Sequence, residues 1–331
     1  MNGRLQRFLL AAVFFLACLS LGYPTLNRYD VRSAEPDSRD YAAMVDSGQR
    51  AARFVYSARV LVPYLARPFA GLARGRVGSW DPTSFGLLVA NSMLTAGAAY
   101  ILFTIAFRLT GSSQTALVAG LLYLLNFEVS NQMLAGMVDS GEAFFLIAAT
   151  ALLLRESWRW LPVVAVFGAT SKETFVPFLT AFAAVWALAG SQRRTALLWT
   201  TVSVALGLAT TTALFSIREE HLVWPWGFAA GLASDGDHLR SAVACLTNRA
   251  FWYVFVWLLP LGLWKIRTLP RPWVLGCASA SIVAIAFSAY HNSPAAAGAA
   301  ARPLFSIAGP LLSLSAALVL CSSEAPQQVE L

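Results

Sequence analysis

Long apolar runs recur along the whole chain, and the short polar stretches between them hold most of its arginines. Hydropathy places helical spans near residues 7–25, 84–107, 114–126, 140–154, 161–170, 174–190, 195–216, 251–264, 272–290 and 303–321. A helix needs ~20 apolar residues to cross a hydrocarbon core, so the pattern predicts an all-α, polytopic helical membrane protein with about ten transmembrane segments. The whole of 1–331 reads as a single membrane domain. The third and fifth spans are short for full crossings, which predicts that they are tilted, broken or lengthened by their flanks.

Positive charge gives the spans a direction. Arg4 and Arg7, Arg108, Arg155 and Arg159, Arg193 and Arg194, then Lys265, Arg267 and Arg271 fall at alternate span ends. Excess Lys and Arg in short loops marks the cytoplasmic side. These clusters share one side only if 161–190 crosses twice, with a break at Ser171-Lys172-Glu173-Thr174. The expected result is two cytoplasmic termini and long outer segments at 26–83, 217–250 and 291–302. All three histidines, His221, His238 and His291, then lie outside.

In the first outer loop, Leu61, Tyr64, Leu65, Pro68, Phe69 and Leu72 recur at one helical face, flanked by Arg59, Arg67 and Arg74. Such a helix is expected in the outer interface, its arginines reaching lipid headgroups. A shorter amphipathic turn with Tyr41, Met44 and Val45 precedes it. The first span could also be a cleaved signal peptide, and Phe15-Leu16-Ala17-Cys18 loosely resembles a lipoprotein box. No A-x-A site follows, so a retained helix is expected.

Composition agrees with the pattern. Residues are 57% hydrophobic and only 12% charged, with a mean hydropathy of +0.60, too little charge to coat a water-soluble globule. The net charge of +7 is scattered over span ends and forms no patch interleaved with aromatics, so no nucleic-acid partner is expected; the partner is the lipid bilayer. Cys18, Cys245, Cys277 and Cys321 lack metal-knuckle spacing.

Four groups of residues could carry chemistry. Asp30, Asp37, Asp40 and Asp46 lie just beyond the first span, where a carboxylate can accept a proton from an attacking hydroxyl or bind a divalent metal. Asp37 or Ser38 could equally cap a helix starting near Arg39. Asp139-Ser140-Gly141-Glu142 opens the fourth span, either as a capping box or with Asp139 as a second carboxylate. Lys172 and Glu173 sit within an apolar stretch, where ionisable groups face a cavity or one another. Arg302, with His291 nearby in sequence, could hold a phosphate bidentately or reach any lipid headgroup. The triplet Asp235-Gly236-Asp237 before His238 reads as a turn. No Walker loop, GxSxG or HExxH appears, which disfavours ATP-driven transport and hydrolases with a serine elbow. The residues name no cofactor; if a metal is bound, Asp37 and Asp139 would hold it.

Taken together, the long outer loop with Asp37-Ser38 and Tyr41, the stretch Arg59-Val60-Leu61-Val62-Pro63-Tyr64-Leu65-Ala66, Asp139 opening a helix, Ser171-Lys172-Glu173-Thr174 and Arg302-Pro303-Leu304-Phe305 resemble the GT-C superfamily of membrane glycosyltransferases. The pattern is also similar to bacterial multi-pass membrane proteins grouped with that superfamily. The motifs are short and degenerate, although they span nearly the whole chain. The resemblance implies sugar transfer from a polyprenyl-phosphate donor at the outer face of a bacterial inner membrane, for building the cell envelope. It makes Asp37 the base, Asp139 the second carboxylate, and Lys172, Arg302 and Arg59 the phosphate partners. Asp30, Asp40, Glu173 and His291 would support them, with Asp30 and Asp40 competing for the role of base. Larger members carry a soluble C-terminal domain to which nothing here corresponds. A carrier or flippase for an amphiphile fits broken helices around a charged pair as well. A non-catalytic scaffold of an envelope-polymer assembly is the third reading.

Overall fold

A computed structural model of the protein describes residues 3–28, 36–48, 54–76, 78, 80–190, 192–224, 237–291 and 297–321. Among these residues all regular structure is helical. Helix α1 (Gly3–Arg28) leads to α2 (Pro36–Ser47), a 3-10 turn at Phe54–Ala58, and α3 (Leu61–Ala73). Then come α4 (Pro82–Thr110), α5 (Ser113–Leu124) and α6 (Asp139–Leu154). The hairpin α7 (Leu161–Ser171) and α8 (Phe175–Ala189) is followed by α9 (Arg193–Glu219). The chain finishes through α10 (His238–Thr247), α11 (Arg249–Phe255), α12 (Leu258–Trp264), α13 (Arg271–His291) and α14 (Ala301–Leu320).

The ends of α4 are written in its sequence. The Asp81 carboxylate accepts from the amides of Thr83 and Ser84, Pro82 opens the helix, and Gly111 closes it at φ 68°. Its 29 residues and the 27 of α9 each rise about 40 Å at ~1.5 Å per residue. Two-thirds of the apolar window of α4 and 78% of that of α14 are buried, against 17% for α1, 22% for α9 and 33% for α13. Thus α4 and α14 form the inside of the bundle, while α1, α9 and α13 turn apolar faces outward.

Among the described residues, five helical segments are long and apolar enough to cross a membrane: Arg4–Pro24, Pro82–Thr110, Arg193–Glu219, Arg271–His291 and Gly298–Leu320. The expected spans at 114–126, 140–154, 161–170 and 174–190 correspond to helices of 12, 16, 11 and 15 residues. The expected span 251–264 is not one helix. Its two parts meet at 82°, and Pro260, lacking an amide, cannot continue the backbone ladder across that bend.

Helices α2 and α3 pack against each other and against α4. Tyr41, Met44 and Val45 are buried with Val62, Leu87 and Val138, so this turn is part of the core and not a membrane-surface anchor. In α3 the expected apolar stripe faces outward, with Tyr64 44% and Leu72 62% exposed. The opposite face, Val62, Ala66, Ala70 and Ala73, is the one that packs inward. Gly86 of α4 makes this contact close: a β-carbon there would lie 2.7 Å from the Ala66 carbonyl oxygen.

Candidate functional site

The break in the α7–α8 hairpin is built locally. Ser171 Oγ donates to the Gly168 carbonyl at 2.6 Å, and Lys172 leaves the helix in an extended conformation. The chain then returns, because Gln192 at the far end of α8 donates to Glu156 beyond the end of α6 at 2.5 Å. Successive side chains on extended backbone point in opposite directions, so Lys172 and Glu173 find different partners.

Lys172 turns to α6. Its Nζ donates to Asp139 Oδ1 at 2.6 Å and to Glu142 Oε2 at 3.4 Å, while Thr174 Oγ1 donates to Glu142 Oε1 at 2.5 Å. The close approach requires Gly141, where a β-carbon would lie 2.7 Å from Ser171 Cβ. The capping-box expectation for Asp139 and Glu142 is therefore corrected. The N-cap of α6 is Val138, without a side-chain cap, and both carboxylates serve the buried ammonium, whose charge outbids neutral amides.

Glu173 turns to Arg59, just before α3. Arg59 Nε donates to Glu173 Oε2 at 2.7 Å and Nη2 to Oε1 at 2.5 Å, a bidentate pair. Arg59 Nη1 donates to the Tyr41 hydroxyl at 2.8 Å, and the guanidinium lies 4.4 Å from the Tyr56 ring centre. Arg59 therefore does not reach out to headgroups as expected for a flanking arginine; the buried carboxylate draws it inward, leaving it 8% exposed. Burial opposes its charge, but Glu173 and Tyr41 outweigh this and raise its pKa well above the ordinary value. Burial also pushes the Tyr41 phenol up, so it stays protonated.

A third pair is looser. Arg302 Nη1, at the start of α14, lies 3.9 Å from Asp37 Oδ2, and each side chain is about one-fifth exposed. Helix α2 begins at Pro36, so Asp37 sits in its first turn.

These pairs border one cavity of about 300 Å³, into which Asp37, Arg59, Asp139, Lys172, Glu173 and Arg302 all face, together with His291. Asp40 is buried in α2 away from its lining, and Asp30 lies outside the described residues. An apolar groove of about 440 Å³ between α8, α9 and α13 adjoins the cavity, sharing Glu173 and Phe287 with it. Elsewhere, Asp46 bonds Thr83 and so ties α2 to α4, and Asp237 caps α10 by accepting from the Arg240 amide at 3.0 Å. Asp235 and Gly236 lie outside the described residues.

The donor set does not suit a divalent metal. Asp139 is already neutralised by Lys172, and among the described residues no three His, Cys, Asp or Glu side chains converge as a metal site. Sequence reasoning missed the roles of Glu142, Tyr41, Tyr56 and Thr174. Glu142 was findable: three residues after Asp139, it shares that helix face. No protein-family model matches the chain, and no curated protein matches it.

Proposed function

We propose that the protein is a membrane glycosyltransferase that moves a sugar from a polyprenyl-phosphate donor to an acceptor at the outer face of a bacterial inner membrane. In this reading the chain crosses about ten times by counting the short helices as spans, with both termini cytoplasmic. The observation that carries it is the junction of a charged cavity with an apolar groove at Glu173 and Phe287. That junction suits a substrate with a polar head and a long hydrocarbon tail.

Each cavity residue has its part. Asp37 takes the proton of the acceptor hydroxyl, whose oxygen then forms a bond to the anomeric carbon from the face opposite the phosphate. The carbon–oxygen bond to the phosphate breaks, and the phosphate leaves with the electron pair. Arg302, which faces the same cavity 3.9 Å from Asp37, steadies that phosphate. Lys172 and Arg59 are held by carboxylates at 2.6 and 2.5 Å, so they shape the local field and fix the cavity walls.

The test is transfer by purified protein in vesicles supplied with polyprenyl-phosphate sugars. Asp37→Asn is expected to lose about 10²–10⁴-fold in rate with unchanged melting. Turnover near the wild-type value in Asp37→Asn would sink this mechanism. Transbilayer movement of the lipid without transfer would instead make the protein a carrier.

A further inference from the structure

At the end of the bundle away from this cavity, α1, α4, α6 and α7 diverge around a second, larger hollow of about 1010 Å³. Three arginines from three helices line it: Arg7 on α1, Arg108 in the last turn of α4, and Arg155 at the end of α6. Among the described residues no carboxylate lines the hollow. Among the described residues none of the three arginines forms an ion pair. Glu156 follows Arg155 directly, but its carboxylate accepts from Gln192. Gln6, Thr104 and Ser113 add neutral hydrogen-bonding groups.

The remaining wall is apolar, with Leu10, Phe103, Phe107 and Val163 among its members. Phe107 is 44% and Val163 45% exposed, so the apolar wall opens sideways between helices and toward the lipid. Trp160, half-exposed at the same hollow, has the amphipathic ring that settles at headgroup depth. A soluble anion would satisfy the arginines and leave the apolar wall bare. A zwitterionic lipid would cover the wall and leave the charge uncompensated.

We infer that this hollow is a binding site for one anionic phospholipid of the bilayer, its phosphate held among Arg7, Arg108 and Arg155 and an acyl chain laid along the apolar wall. The site is distinct from the proposed transfer cavity and does not depend on what that cavity does. Basic pockets between transmembrane helices favour anionic headgroups in this way, at about fivefold per arginine.

The experiment is native mass spectrometry of the full chain, purified in detergent and offered phosphatidylglycerol or phosphatidylcholine. Wild type is expected to retain one phosphatidylglycerol in preference to phosphatidylcholine. The Arg7→Gln, Arg108→Gln, Arg155→Gln triple variant should lose that preference by on the order of a hundredfold. The corresponding triple lysine variant, which restores the charge, should recover most of it, separating charge recognition from misfolding. Arg193→Gln with Arg194→Gln, on the exposed start of α9, should leave retention unchanged. Equal retention of the two lipids by wild type would overturn the inference. So would displacement of the lipid by equimolar glycerol phosphate, failure of the lysine rescue, or an equal loss in the Arg193/Arg194 variant.

Discussion

Lys172 and Glu173 are neighbours in the chain yet belong to separate ion-pair systems, one closing on α6 and the other on Arg59 just before α3. The Arg59–Glu173 pair is buried and bidentate, so neither charge has water to fall back on. Removing one partner of such a pair costs about 3–5 kcal/mol, because the other is left buried and uncompensated. Arg59→Met and Glu173→Gln are each expected to lower the melting temperature in detergent, by on the order of 5–10 °C. The double variant Arg59→Met, Glu173→Met should recover at least half of that loss. Additive losses in the double variant would mean that the two side chains act independently of one another. At this scale the sequence shows that charges inside apolar runs need partners, and only the family resemblance grouped Asp37, Asp139, Lys172 and Arg302 on one site. The sequence does not show that Arg59 is the partner of Glu173, since 114 residues separate them and no local pattern links them.

Helix α3 was legible as a helix from its periodicity, but which face it buries was not. The large apolar stripe, expected to lie in the interface, does face outward; the small residues pack inside because they let two backbones approach closely, as helix contacts in membranes commonly do. The contact turns on Gly86, whose would-be β-carbon meets backbone atoms, the Ala66 oxygen at 2.7 Å and the Ala70 nitrogen at 2.8 Å. Backbone cannot rotate aside. Gly86→Leu should therefore lift α3 from α4, loosen its backbone so that trypsin cuts at the already exposed Arg67 and Arg74, and loosen Arg59 just upstream. Gly71→Ala, where a β-carbon meets nothing within 4 Å, should leave the cleavage pattern unchanged. Equal resistance of both variants to trypsin would show that this helix contact does not hold the loop.

Over the whole molecule, the hairpin at 161–190 sets the direction of everything that follows. Gln192 bonded to Glu156 returns the chain to the end where Arg7, Arg108 and Arg155 gather. Cysteines introduced at Gln192 and Thr268, in a background without the native cysteines, are expected to resist an impermeant thiol reagent in intact cells. Labelling of both would reverse the proposed orientation. The sequence by itself determined that the chain is helical and built for a membrane and where its basic ends fall, and it favoured a break near Lys172, because hydropathy and charge position are properties of the chain read in one dimension. Only the tertiary structure decided which helices have full length, which face of α3 is buried, and which carboxylate holds which cation. Ion pairing and helix contact depend on distances in space, and residues far apart in sequence come within 3 Å only once the bundle has closed.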